Sequence, residues 1–153
     1  MRLKCYAVGT TSHSRRGDGI SGYSYLEYLS SLGLKLGIVS NVVFAGKHYE
    51  KLFEQWGIKH YFGGLAWSSD VGKRKPHPDI FHEALELLNI EPACAIHVGD
   101  LLVPDILGAR RAGLMGGVWV NRGDKTDPPV LPDWTIQELS ELIPIVEQLL
   151  KSA

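Results

Sequence analysis

Three places in this chain carry side chains that together could hold a phosphoryl group. Ser40 ends the apolar run 34–39 and offers a hydroxyl next to the backbone N–H groups around Asn41. Lys75 stands in a loop before a helix, where Pro76 stiffens the backbone. Asp100 follows a third apolar run, 93–98, and Gly99; Asp105 comes after four intervening residues and can reach back from the start of the next helix. Two hard oxygen donors at one strand tip, on a loop with room for water, suit Mg²⁺. A hydroxyl, an ammonium and a metal-binding carboxylate pair supply donors to phosphoryl oxygens and a cation to neutralise their charge. Taken singly the same residues have plainer readings. Serine at a strand end forms turns, a loop lysine is solvated, Asp100 closes a turn, and Asp105 suits a first helical turn. The chemistry therefore depends on convergence.

Convergence requires strands that end side by side. Residues 3–8 read as a strand with Gly9 in the turn after it, and 34–39 as a second. Residues 93–98 form a short buried strand, 114–120 a further one interrupted by Gly116 and Gly117, and 134–136 an edge strand. Helices are expected over 24–32, stopped by Gly33, and over 47–56, with Tyr49, Leu52, Phe53 and Trp56 facing inward and Gly57 as its stop. A third spans 79–88 through Ile80, Phe81, Ala84, Leu87 and Leu88. A fourth carries Ile106, Leu107, Ala109 and Ala112 and ends at Gly113. The last runs to Leu150, capped by Ser140, with Pro144 in its first turns. Only a short strand or turn is read near Tyr61 and Phe62, and 68–78 reads as a loop. The segments 12–22 and 128–132 read as irregular connections. Strands alternating with helices imply βαβ units around a parallel sheet, so the fold class is α/β and residues 1–153 form one domain. The carboxyl ends of parallel strands are where ligands collect.

The 153 residues suffice for one domain with a real core. Net charge is −1, so no strong field recruits nucleic acid or an anionic membrane. No run is long enough for a signal h-region or a membrane span, and Cys5 and Cys94 both lie in apolar runs, expected as buried thiols. A cytoplasmic protein is the expectation. Trp67, Trp119 and Trp134 fit a core or an interface equally, so oligomeric state is left open.

Taken in order, Leu36-Gly37-Ile38-Val39-Ser40-Asn41, then Lys73-Arg74-Lys75-Pro76-His77-Pro78-Asp79, then His97-Val98-Gly99-Asp100 with Asp105 and Gly108-Ala109 resemble motifs II, III and IV of the haloacid dehalogenase (HAD) superfamily, most nearly its subfamily IA. The resemblance covers Gly33 to the C-terminus. It implies a Rossmann-like three-layer α/β/α core and a Mg²⁺-dependent phosphohydrolase acting on a small phosphorylated substrate. It also implies that Ser40 and Asn41 bind the phosphoryl group, that Lys75 bridges phosphoryl and nucleophile charge, and that Asp100 and Asp105 hold Mg²⁺.

HAD enzymes work through an aspartyl-phosphate, formed by an aspartate in an Asp-x-Asp-Gly-Thr motif ending the first strand. The nearest counterpart is Tyr6-Ala7-Val8-Gly9-Thr10-Thr11, with Ala7 at the nucleophile's place and Gly9 at the second acid's. Residues 1–22 read either as a degenerate first strand plus irregular loop or as sequence unrelated to the family's. Residues 12–22 are too few for the subfamily's helical cap, which is expected to be absent. Asp18, Asp70 and Asp124 are read as turn or loop residues, and His97 as a hydrogen-bonded core histidine. Three functions compete. They are a phosphohydrolase, a Mg²⁺- and phosphate-binding module without turnover, and a partial form of a longer phosphatase.

Overall fold

Leu36 and Ile38 point to one face of a strand and Val39 to the other, and all three are buried. A strand buried on both faces belongs inside a parallel sheet covered by helices on each side. That is the architecture of the computed structural model, which describes residues 6–9, 22–123 and 129–152. Its strands are β1 (Tyr6–Gly9), β2 (Leu36–Ser40), β3 (Phe62–Trp67), β4 (Ala95–Gly99), β5 (Gly116–Val120) and β6 (Trp134–Ile136). They pair in the order β3-β2-β1-β4-β5-β6, every pair parallel.

Six α-helices cover the sheet: α1 (Gly22–Ser31), α2 (Gly46–Gln55), α3 (Ser68–Val71), α4 (Pro78–Leu88), α5 (Gly108–Arg111) and α6 (Leu142–Ser152). On one face, Leu29 of α1 and Leu142 and Val146 of α6 pack on Leu36, Ile96, Val98, Val118 and Val120. Phe53 of α2 meets Ile38 and Trp67. On the opposite face Ile80, Phe81 and Ala84 of α4 join Ala109 of α5, Ala112, Val39 and Ala66. The three-layer α/β/α expectation is met.

Local expectations fail where a tertiary contact outweighs the pattern. The strand near Tyr61 and Phe62 extends through Trp67, because Gly63 and Gly64 do not break it but admit α4. A Cβ on Gly64 would lie 2.6 Å from the Ala84 carbonyl oxygen. Leu52, Trp56 and Leu87, expected inward, are 40, 52 and 54% exposed, while Leu85 is buried. Part of the expected loop 68–78 is α3. The last helix is entered through a 3₁₀ turn (Leu139–Glu141) capped by Glu138 and Glu141 in a reciprocal box, not by Ser140. Cys94 is half-buried rather than buried, whereas Cys5, Asp18 and Asp124 lie outside the described residues.

Candidate active site

β2 and β4 flank β1, so their carboxyl ends open on the same edge of the sheet. Ser40 closes β2 and is buried; the half-buried Asp100 follows the last residue of β4. Between them β1 runs with Gly9 beside Ile38 on one side and Val98 on the other. Ala7 pairs with Ile96, four positions before Asp100, which sets it about 13 Å along the strand from that level.

Lys75 reaches this edge because Asn41 holds its backbone. The Lys75 N–H donates to Asn41 Oδ1 at 2.7 Å, and Asn41 Nδ2 donates to the Lys75 carbonyl at 3.1 Å. Both polar ends of the Asn41 amide are spent on positioning the loop. The peptide bond between Lys75 and Pro76 is cis. The loop after β2 is fixed from the other side. Ser68 Oγ accepts from the Val42 N–H at 2.9 Å and donates to the Val42 carbonyl at 3.1 Å. Asp70 accepts the Gly46 N–H with both carboxylate oxygens at 3.1 Å, a negative group at the start of α2.

Asp105 is reached through a π-helical turn (Leu102–Leu107) that runs into α5. Pro104 lies within this turn and has no N–H to donate, and π-helical turns carry inward-directed side chains at many functional sites. The turn sends the Asp105 side chain back under the tip of β4, where a Cβ on Gly99 would collide with its carboxylate. Glycine at 99 is thus a condition of this placement.

The result is a buried polar cluster. Lys75 Nζ donates to Asp105 Oδ1 at 2.6 Å, the two side chains being 5 and 1% exposed. His97 Nε2 lies 2.9 Å from the same oxygen, and Oδ2 accepts the Leu101 N–H at 3.0 Å. Burial alone pushes the Asp105 carboxyl up, but the hydrogen bonds and charges of His97 and Lys75 outweigh it and hold it at about 2. Burial lowers Lys75, opposed by Asp105 and more weakly by Asp100. Burial also lowers His97, against the opposing pull of Asp105.

Lys75 and Asp105 are thus in contact, Ser40 and Asp100 end strands on the same edge of the sheet, and the four residues do not play equal parts. Both Asp105 oxygens are taken by protein donors. The Asp100 carboxylate accepts no hydrogen bond from a described residue; only its backbone carbonyl is engaged, by Trp119 Nε1 at 3.1 Å. Mg²⁺ commonly binds through one or two carboxylates, retained water and a substrate phosphate, and Asp100 fits the first of these. No group of three or more His, Cys, Asp or Glu residues that could hold an ion is present among the described residues. Sequence reasoning treated His97 as core and did not link it to Lys75 and Asp105, and it missed the clamps made by Ser68 and Asp70. Their sequence signal is position alone, Ser68 directly after β3 and Asp70 two residues further on.

Residues 22–113 match the profile of haloacid dehalogenase-like hydrolases. The chain is 39% identical over 131 residues to glyceraldehyde 3-phosphate phosphatase of Methanopyrus kandleri, a match covering 82% of this chain and 55% of that protein. It is 36% identical to haloacid dehalogenase-like hydrolase domain-containing protein 3 of Bos taurus, covering 76% of this chain and 47% of that one. Among solved structures it superposes on the magnesium-bound HAD-hydrolase YfnB of Bacillus subtilis with a TM-score of 0.70 at 27% identity, covering 84% of this chain and 54% of that chain. The chain spans about half the length of the curated relatives it matches.

Proposed function

The chain belongs to the haloacid dehalogenase-like hydrolase family, and on that premise we propose that its sheet-edge site binds the phosphoryl group of a small phosphomonoester with Mg²⁺, in the service of hydrolysis. The observation that carries this reading is the Lys75–Asp105 pair, a buried ammonium held at the sheet edge on which the strands of Ser40 and Asp100 end. Burying a lysine is costly, and a carboxylate partner alone seldom repays it. A lysine kept there at that cost suits a site whose ligand is an anion.

In this reading Ser40 Oγ and the Asn41 backbone N–H donate to phosphoryl oxygens, and Lys75 neutralises their charge. Asp100 would hold Mg²⁺, which when bound supplies the second positive charge. Asp105 fixes the ammonium from behind. The reading draws support from the phosphatase and the magnesium-bound hydrolase that resemble this chain.

A specific observation favours a second reading, binding without turnover. The described residues of β1 are Tyr6, Ala7, Val8 and Gly9, none able to form an aspartyl-phosphate. Loss of a covalent nucleophile costs several orders of magnitude in rate, leaving only electrostatic and positional help. A p-nitrophenyl phosphate assay with and without Mg²⁺, run beside phosphate titration by calorimetry, separates the two. Mg²⁺-dependent turnover abolished by Asp100→Ala supports hydrolysis, and phosphate binding without turnover supports the second reading. Neither turnover nor binding refutes both.

A further inference from the structure

We propose that His97 is a positioning residue for the phosphate site, an imidazole whose Nε2–H fixes Asp105 so that Asp105 can aim the Lys75 ammonium; this rests on the phosphate-binding reading above. Strand alternation turns His97 away from Ile96 and Val98, onto the α4 face, where it is fully buried. There the edge of Phe81 meets it, with ring centroids 5.0 Å apart and an interplanar angle of 82°.

The tautomer follows from the partner. Asp105 Oδ1 is a carboxylate oxygen and can only accept, so the proton of the neutral ring is on Nε2. Nδ1, then an acceptor, is buried with no hydrogen-bond partner among the described residues. An aliphatic residue would fill this position without burying an orphaned nitrogen. What histidine adds over an apolar side chain is the Nε2–H donor to Asp105.

That donor matters because Asp105 is otherwise held at two points only. The Leu101 N–H takes Oδ2, and Oδ1 is shared between His97 and Lys75. Without His97, Oδ1 loses its second donor and Lys75 is left as the one group among the described residues that sets where that oxygen lies. Lys75 has three N–H groups, one of them on Asp105, and the direction of the other two follows from that bond. His97 thus acts on a bound phosphoryl group at one remove, through Asp105 and Lys75.

The test compares His97→Phe, which removes the donor, with His97→Gln, whose side-chain amide N–H can reach the same oxygen. Phosphate affinity is measured by calorimetry in Mg²⁺, with melting temperatures taken in parallel. Wild type is expected to bind phosphate, His97→Phe to bind roughly tenfold or more weakly, as for lost outer-shell partners of bound groups, and His97→Gln to recover most of that loss. Wild-type affinity in a folded His97→Phe overturns the proposal and leaves the phosphate site standing. No phosphate binding by wild type overturns both. Should His97→Phe fail to fold, ¹⁵N NMR of the wild-type imidazole with and without phosphate decides. A proton on Nε2, with a His97 resonance that moves when phosphate binds, supports the role; a proton on Nδ1, or a His97 resonance indifferent to bound phosphate, overturns it.

Discussion

Lys75 and Asp105, 30 residues apart in the chain, form a 2.6 Å ion pair whose side chains are almost fully withdrawn from water. The pair ties the loop before α4 to the π-helical turn after β4, so one contact sets two walls of the candidate site. Its stability consequences are asymmetric, since removing one partner strands the other charge in the interior.

Lys75→Ala and Asp105→Ala should each lose about 3–5 kcal/mol of unfolding free energy, measured by urea denaturation. The double variant Lys75→Met with Asp105→Leu should be less destabilised than the sum of its two singles, since no orphaned charge remains. Additive losses in the cycle would show that the pair is not coupled.

Stability should fall on the acid side in two stages. His97 is held below its ordinary value of 6.5, so as pH drops past 6.5 the unfolded chain takes a proton that the native state refuses. Asp105 is held at about 2 against an ordinary 3.8, so its contribution, about 2 kcal/mol, is present above 3.8 and lost as pH falls toward 2. In melting curves between pH 7 and 2, His97→Gln should lack the first stage and Asp105→Asn the second. A wild-type profile in both variants would contradict the assignment.

Gly99→Ala places a methyl group against the Asp105 carboxylate, so the π-helical turn must shift. The expected loss is about 1–3 kcal/mol, as for other insertions into packed sites, together with weaker phosphate binding. A variant as stable as wild type would show that the turn yields without cost.

Asn41→Ala deletes two hydrogen bonds to the Lys75 backbone. A loss of about 1–3 kcal/mol follows, and phosphate affinity should drop with it as the Lys75 loop loosens. Unchanged affinity would mean that the loop is held by the Lys75–Asp105 pair alone.

Much of this arrangement is legible in the chain because strand tips announce themselves. Apolar runs that stop at Ser40 and at Gly99-Asp100 identify two strand tips, and alternation with helices makes the sheet parallel, which sets both tips on one edge. What escapes is set by contacts between distant residues. Gly63 and Gly64 look like breaks in a strand until α4 is seen packed against them, and Pro104 hides the start of the turn that delivers Asp105. His97 lies eight residues before Asp105, with the chain passing from a strand into a π-helical turn between them, so no single period relates the two. Its partnership exists only after β4 and the turn have folded over one another.

The central claim is that Asp100 and Lys75 hold Mg²⁺ and phosphate at one edge of the sheet, and the most direct measurement is the melting temperature of wild type and Asp100→Asn with Mg²⁺ and phosphate added together. Asp100 is half-buried and its carboxylate is bound to no described residue, so the variant should match wild type within about 0.5 kcal/mol in the absence of ligand. Wild type should gain about 2.7 kcal/mol at a hundredfold excess over Kd, and Asp100→Asn less than about 1 kcal/mol. No gain in wild type, or an equal gain in both proteins, would contradict the account.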